Sequence, residues 1–240
     1  MPGKIFLGGF SFVYLVKDTS DNSSVSEGSG STATRSGGAQ HQQQSNQPAF
    51  MVLKITSIHS RQQRDVAEKE AKLLSRLSHP SIVRMIDACY RTAPSGHGGV
   101  MGKGSISGGA HSGSRPQHLI LMEYCEGGTA LSVCNTLTQN NQRFDLPSLI
   151  IAFGQICNAV SYLHAQRPPI VHRDLKPVNF LVKNGAYKLC DFGSAVFGHV
   201  DLRTPRARSE AEEVIEKTTT QMFRSPEMVD LYMTKKLTQA

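Results

Sequence analysis

The chain has 240 residues, with 26 Lys+Arg against 19 Asp+Glu and a formal net charge of +7. Five cysteines without a CxxC pair exclude a disulfide scaffold or a zinc ribbon as the organising feature and fit a reducing compartment. A hydrophobic share of 39% excludes a wholly disordered chain, and the absence of any Lys/Arg run of five or more argues against a nucleic-acid interface.

In chain order, residues 5–17 read as a strand, a turn at Gly8-Gly9 and a second strand over 12–17. The apolar run 5–16 follows Lys4 but lacks a small-x-small cleavage pattern, and no window is expected to span a membrane. Residues 18–48 are rich in Ser, Gln and Gly. They cannot bury enough apolar surface to offset their ordering entropy and read as a disordered insertion. Residues 49–55 predict a short strand. Residues 62–77 contain neither Gly nor Pro and predict a helix whose apolar stripe is Val66, Leu73, Leu74 and Leu77, with Glu70 on that same stripe. Strands are expected at 82–88 and 119–124, on either side of a second insertion, the Gly/Ser-rich stretch 92–116. A long helix is expected over 146–164, with Leu149, Ile150, Phe153, Ile156, Val160 and Leu163 as its apolar face; Pro168-Pro169 ends it. Two short strands, 180–182 and 187–190, follow. No internal repeat is visible.

The chemistry concentrates in residues 170–193. Asp174, Lys176, Asn179 and Asp191 fall within 18 positions. Asn179 and Asp191 are hard oxygen ligands of the kind Mg²⁺ accepts beside phosphate oxygens. Asp174 is a carboxylate suited to receive a hydroxyl proton. Lys176 is placed to neutralise a migrating phosphoryl group. A base, a cation and two metal ligands are the parts of in-line phosphoryl transfer. Upstream, Glu70 inside an apolar stripe needs a buried cation, and Lys54 at the end of the strand is the candidate.

His172-Arg173-Asp174-Leu175-Lys176-Pro177-Val178-Asn179 resembles the catalytic loop of eukaryotic protein kinases. Asp191-Phe192-Gly193 resembles their magnesium-binding motif, and Ser225-Pro226-Glu227 is similar to their Ala-Pro-Glu motif. The resemblance implies an α+β, bilobal fold: a small antiparallel β lobe with one helix over residues 1–124, and a mainly helical lobe over 125–240. It implies ATP and Mg²⁺ as ligands. Asp174 and Lys176 would be catalytic, Asn179 and Asp191 metal ligands, and Lys54 with Glu70 would position the nucleotide. Met122 would be the gatekeeper. The backbone carbonyl of Glu123 and the N–H of Cys125 would meet adenine, and Val13, Val52 and Leu181 would sandwich the ring. Gly8 and Gly9 would lie in the phosphate loop; there only Gly8 matches the usual glycine pattern, with Phe6 and Ser11 at the outer positions. Cys125 and Cys190 are expected near the pocket as inert thiols.

Lys176 after Asp174 is similar to the Ser/Thr kinases, as is Thr220, expected to bond Asp174 and Lys176. Residues 7–16, 189–195 and 217–232 resemble the Numb-associated kinase family, which includes the Ark/Prk actin-regulating kinases. That resemblance implies a cytoplasmic Ser/Thr kinase acting on clathrin-adaptor or actin-patch proteins, with no nucleic-acid partner and no transmembrane segment. The segment 193–220 would be the activation segment, with Thr204 and Ser209 as phosphorylation sites that Arg173 would bind, or a mobile loop that is never modified. The family's C-terminal lobe continues well past the position of Glu227, whereas 13 residues remain here. The chain therefore reads as a partial kinase domain, expected to aggregate in isolation and to be poorly active. The competing reading is a non-catalytic, kinase-derived interaction module.

Overall fold

The computed structural model describes residues 4–7, 11–17, 50–92 and 116–238. Five strands form one antiparallel sheet: β1 (Lys4–Leu7), β2 (Ser11–Lys17), β3 (Phe50–Ser57), β4 (Met85–Thr92) and β5 (Pro116–Glu123), in the order β1-β2-β3-β5-β4. β3 is central because it is rich in apolar and β-branched residues on both sides, and it pairs β2 and β5 along its whole length. The second predicted insertion is trimmed at both ends, since Thr92 and Pro116 are paired strand residues. The remainder of both insertions, and the Gly8-Gly9 turn, lie outside the described residues.

Helix α1 (Arg61–Leu74) starts where Ser60 accepts the N–H of Gln63 and stops three residues before the predicted end. Its buried face is Ala67, Glu70, Leu73 and Leu74. Val66, expected on that stripe, is exposed. The expected strand at 82–88 begins only at Met85. Ile82 instead forms a parallel bridge to Leu189 and fixes the loop after α1 to the second half of the chain.

That half opens with α2 (Ala130–Gln139), which the sequence reading passed over although Thr129 and Ser132 form a capping box. The long helix α3 (Leu146–His164) follows, capped by Asp145. Two residues form β6 (Ile170–Val171). The hairpin β7 (Phe180–Lys183) and β8 (Ala186–Leu189) turns through Asn184 and Gly185, with φ of 49° and 75°. A two-residue hairpin loop of type I′ needs both φ values positive, which is why this Asn-Gly pair stands there. Beyond it come β9 (Val196–Phe197), β10 (Val200–Asp201), α4 (Pro205–Thr218), the short α5 (Pro226–Val229) and β11 (Lys236–Leu237). β6 pairs β9, and β10 pairs β11.

One core joins the halves. Leu73 and Leu74 of α1, Ile82, Ile120, Ala159 and Leu163 of α3, Leu189 and Phe192 pack in it together. A second, smaller core under α4 holds Leu202, Ala211, Ile215, Leu231 and Leu237.

Candidate active site

The strand register brings the upper part of the site together. Val52 and Lys54 are two apart on β3 and share a face. Opposite Lys54 stand Val13 on β2 and Ile120 on β5, and opposite Val52 stands Met122. Residues directly opposite across an antiparallel pair point to the same side, so Val13, Val52, Lys54 and Met122 line one face. Lys54 reaches across to α1. Its Nζ donates to Glu70 Oε1 at 2.7 Å and Oε2 at 3.0 Å, with Asp191 Oδ1 at 3.5 Å. Glu70 is buried in the helix stripe, and the cation the sequence argument required is Lys54. Burial would lower the lysine pKa, but the carboxylates of Glu70 and Asp191 more than compensate and hold Lys54 protonated.

Below this face lies the loop between β6 and β7. His172 is buried, with its Nε2 3.1 Å from the Cys190 carbonyl and its ring edge-on to Phe192. These contacts pin the catalytic loop to the Asp191 segment. Arg173 and Asp191 both adopt positive φ, 67° and 60°. Non-glycine residues rarely tolerate that conformation, and such strain gathers where the surrounding packing dictates geometry.

Asp174 is the hub. Its Oδ2 is 2.7 Å from Lys176 Nζ and 3.2 Å from Asn179 Nδ2, and its Oδ1 accepts the Thr220 N–H at 3.0 Å. Lys176 also donates to Thr220 Oγ1 at 2.5 Å. Burial alone would raise the Asp174 pKa, but the bonds from Lys176 and Thr220 lower it, so the carboxylate is ionised and ready to accept a proton. Asn179 spends its amide hydrogens on the Asp174 carbonyl, at 2.8 Å, and its carboxylate, which leaves its side-chain oxygen as the remaining group. The half-exposed Asp191 carboxylate is lowered in pKa, with Lys54 and His172 overcoming its desolvation. An amide oxygen and an ionised carboxylate on the two sides of the loop fit the hard donor set of a divalent cation.

Of the remaining expected residues, Gly8 and Gly9 lie outside the described residues. Leu181 is on β7, bridged to Thr129. Glu123 ends β5, and Cys125 follows as a buried thiol. Burial and the neighbouring Glu123 carboxylate push the Cys125 pKa up to about 11, and burial raises Cys190 as well, so both are inert thiols. Arg173 Nε donates to the Ser194 carbonyl at 2.7 Å, and the Ser194 hydroxyl donates to the Thr218 carbonyl. Sequence reasoning missed Ser194, Lys183 and Lys188. The Asn184-Gly185 turn signal was the available pointer to the two lysines, which flank it.

Residues 8–239 match the protein kinase domain family. A probable serine/threonine-protein kinase of Dictyostelium discoideum is 30% identical over 228 residues, which is 94% of this chain and 16% of that protein. A second from the same organism is 31% identical over 228 residues, 94% of this chain and 23% of its own length. Actin-regulating kinase 1 of Saccharomyces cerevisiae is 42% identical over 127 residues, 51% of this chain and 19% of that kinase. The chain thus spans less than a quarter of the length of each of these relatives.

Proposed function

The chain belongs to the protein kinase family, and from that premise we propose that its cleft binds ATP and transfers the γ-phosphoryl group to a serine or threonine hydroxyl of a protein substrate. The observation that carries this reading is the Asp174–Lys176–Thr220 cluster. An ionised carboxylate, a lysine and a threonine are locked together by bonds of 2.5–3.0 Å. Asp174 orients the acceptor hydroxyl and takes its proton as the oxygen attacks phosphorus and the bond to the β-phosphate breaks, releasing ADP. Lys176 holds the transferred group, whose negative charge it offsets. Lys54, kept in place by Glu70, binds the nucleotide phosphates. Val13, Val52 and Leu181 sandwich the adenine behind the gatekeeper Met122; the adenine amino group donates to the Glu123 carbonyl, and a ring nitrogen accepts the Cys125 N–H. On the family resemblance Gly8 and Gly9, which lie outside the described residues, would cover the phosphates. Asn179 and Asp191 would hold a divalent cation, Mg²⁺ on the family resemblance, which when bound neutralises phosphate charge. Residues 1–124 and 125–240 form the two lobes around this cleft.

The similarity to Actin-regulating kinase 1 supports an actin-related substrate, and the resemblance of residues 7–16, 189–195 and 217–232 to the Numb-associated kinases extends the proposal to a cytoplasmic role on actin-patch or clathrin-adaptor proteins. Comparing phosphopeptides from cells carrying the intact protein with those carrying its Asp174→Asn form tests this: loss of phosphate from such proteins is expected, and an unchanged set would remove the assignment.

A further inference from the structure

The side chain of Glu123 is used by nothing in the reading above, which engages only its backbone. Yet it is one of the few buried carboxylates in the described residues, 8% exposed. β5 alternates faces, so Met122 lines the cleft and Glu123 turns behind it. There the carboxylate gathers three donors from three places. Oε1 accepts the Arg84 backbone N–H at 2.8 Å and Lys188 Nζ at 2.9 Å; Oε2 accepts Lys183 Nζ at 2.6 Å. The Glu123 N–H returns a bond to the Arg84 carbonyl at 3.0 Å.

The two lysines stand on the hairpin that carries Leu181. Lys188 is directly opposite Leu181 across the hairpin, and Lys183 is two residues along β7 from it. All three therefore share one face, while Phe180, Tyr187 and Leu189 face the core. The end of β5 and the hairpin are separate in sequence; beyond that end the Gly127 N–H donates to the Val182 carbonyl at 2.8 Å and the Val182 N–H to the Gly128 carbonyl at 2.9 Å, and at the end itself the Glu123 cluster sets the spacing. A buried carboxylate bonded by two ammonium groups fixes that spacing through short, directional contacts.

We propose that Glu123, gripped by Lys183 and Lys188, is a positioning residue that sets the height of the adenine slot, holding Leu181 at a fixed distance beneath the backbone that follows Met122. This rests on the cleft being a nucleotide site. The clamp acts on nucleotide affinity and not on the transfer step, because Asp174, Lys176 and Thr220 lie on other segments.

The test uses the intact protein, with binding of Mg²⁺ and a fluorescent ATP analogue, and initial rates of casein phosphorylation at varied ATP. Glu123→Gln, which keeps the shape and removes the charge, is expected to raise KM for ATP about tenfold, the equivalent of one lost charge-assisted contact, with kcat at saturating ATP within about twofold. Lys183→Met is expected to raise KM about threefold, and Lys188→Met added to Glu123→Gln to change KM by less than about twofold, because the partner is already gone. A merely structural role would lower the active fraction, and so kcat, and leave KM unmoved; that result overturns the clamp. Should Glu123→Gln fail to fold, Lys183→Met at the open rim of the cluster decides alone, and an unchanged KM there overturns it. If the wild-type protein binds no nucleotide analogue, the nucleotide reading of the cleft fails and the clamp with it; if it binds and the variants bind equally well, only the clamp fails.

Discussion

At the scale of single residues, the site is a set of charges whose protonation is fixed by neighbours. Asp174 is the sharpest case, since burial would raise its pKa and the bonds from Lys176 and Thr220 lower it. Asp174→Asn keeps the shape and removes the base. Transfer to a protein substrate is expected to fall on the order of a hundred- to ten-thousandfold, with nucleotide binding retained; radiolabel transfer beside a nucleotide titration checks both. Glu123 offers a pH test. Burial would raise its pKa, but the bonds from Lys183 and Lys188 pull it from 4.5 down to about 2. A folded-state pKa depressed below the unfolded value contributes stability that is full above pH 4.5 and disappears as pH falls from 4.5 towards about 2. Urea midpoints over that window are expected to fall more steeply for the wild type than for Glu123→Gln, and parallel curves would contradict the assignment.

At the scale of elements, the activation segment departs most from expectation. Within 193–220, where a mobile loop was one of the two expectations, residues Pro205–Thr218 form the helix α4. Thr204 caps it by accepting the Ala207 N–H, Pro205 opens the first turn, and Arg206–Glu210 and Lys217–Glu213 pair at helical spacing. Those signals were present in the sequence; reading the segment by its place between motifs hid them. Ala211 and Ile215 anchor the helix on Leu202, Leu231 and Leu237. The Thr218 carbonyl at its end holds Ser194, and Thr220 two residues on bonds Asp174. Ile215→Ala is expected to destabilise by about 2–4 kcal/mol, and Thr204→Ala by about 1 kcal/mol. Because α4 positions Thr220, the Ile215 variant is also expected to lose phosphoryl transfer at temperatures below its melting point. Calorimetry with rate measurements across temperature would show whether the two losses separate.

At the scale of the whole molecule, α3 divides its apolar residues between core and surface. Ala152, Ala159 and Leu163 are buried against the hairpin, but Leu146, Leu149, Ile150, Ile151 and Phe153 are exposed, Phe153 by 64%. The helix is also long and apolar enough to cross a membrane by length and composition, contrary to the expectation that no window would be. Its fully buried Ala159 and Leu163 tie it into the core of the fold. Contiguous apolar surface of this kind drives association. The 240-residue chain by itself is expected to self-associate, and Ile150→Glu with Phe153→Glu to shift it towards monomer; light scattering behind a sizing column reads both, and a monodisperse monomer without the substitutions would refute the expectation.

The sequence alone determined the parts whose chemistry is local. The Asp174–Asn179 loop, the Asp191 motif and the Lys54–Glu70 pair were legible, because each depends on residue type at short spacing or on a charge that an apolar stripe cannot leave unpaired; the Thr220 contact, 46 residues from Asp174, was legible only through the family resemblance. Only the tertiary structure decided what long-range pairing controls. It turned the Glu123 side chain away from the cleft to meet Lys183 and Lys188, bonded Arg173 to the Ser194 carbonyl, ended α1 at Leu74 while keeping Leu77 in the core, and left one side of α3 facing outwards. Hydrophobic periodicity says which face of a helix is apolar, but whether that face is covered depends on which other segments arrive there, and no local pattern encodes their arrival.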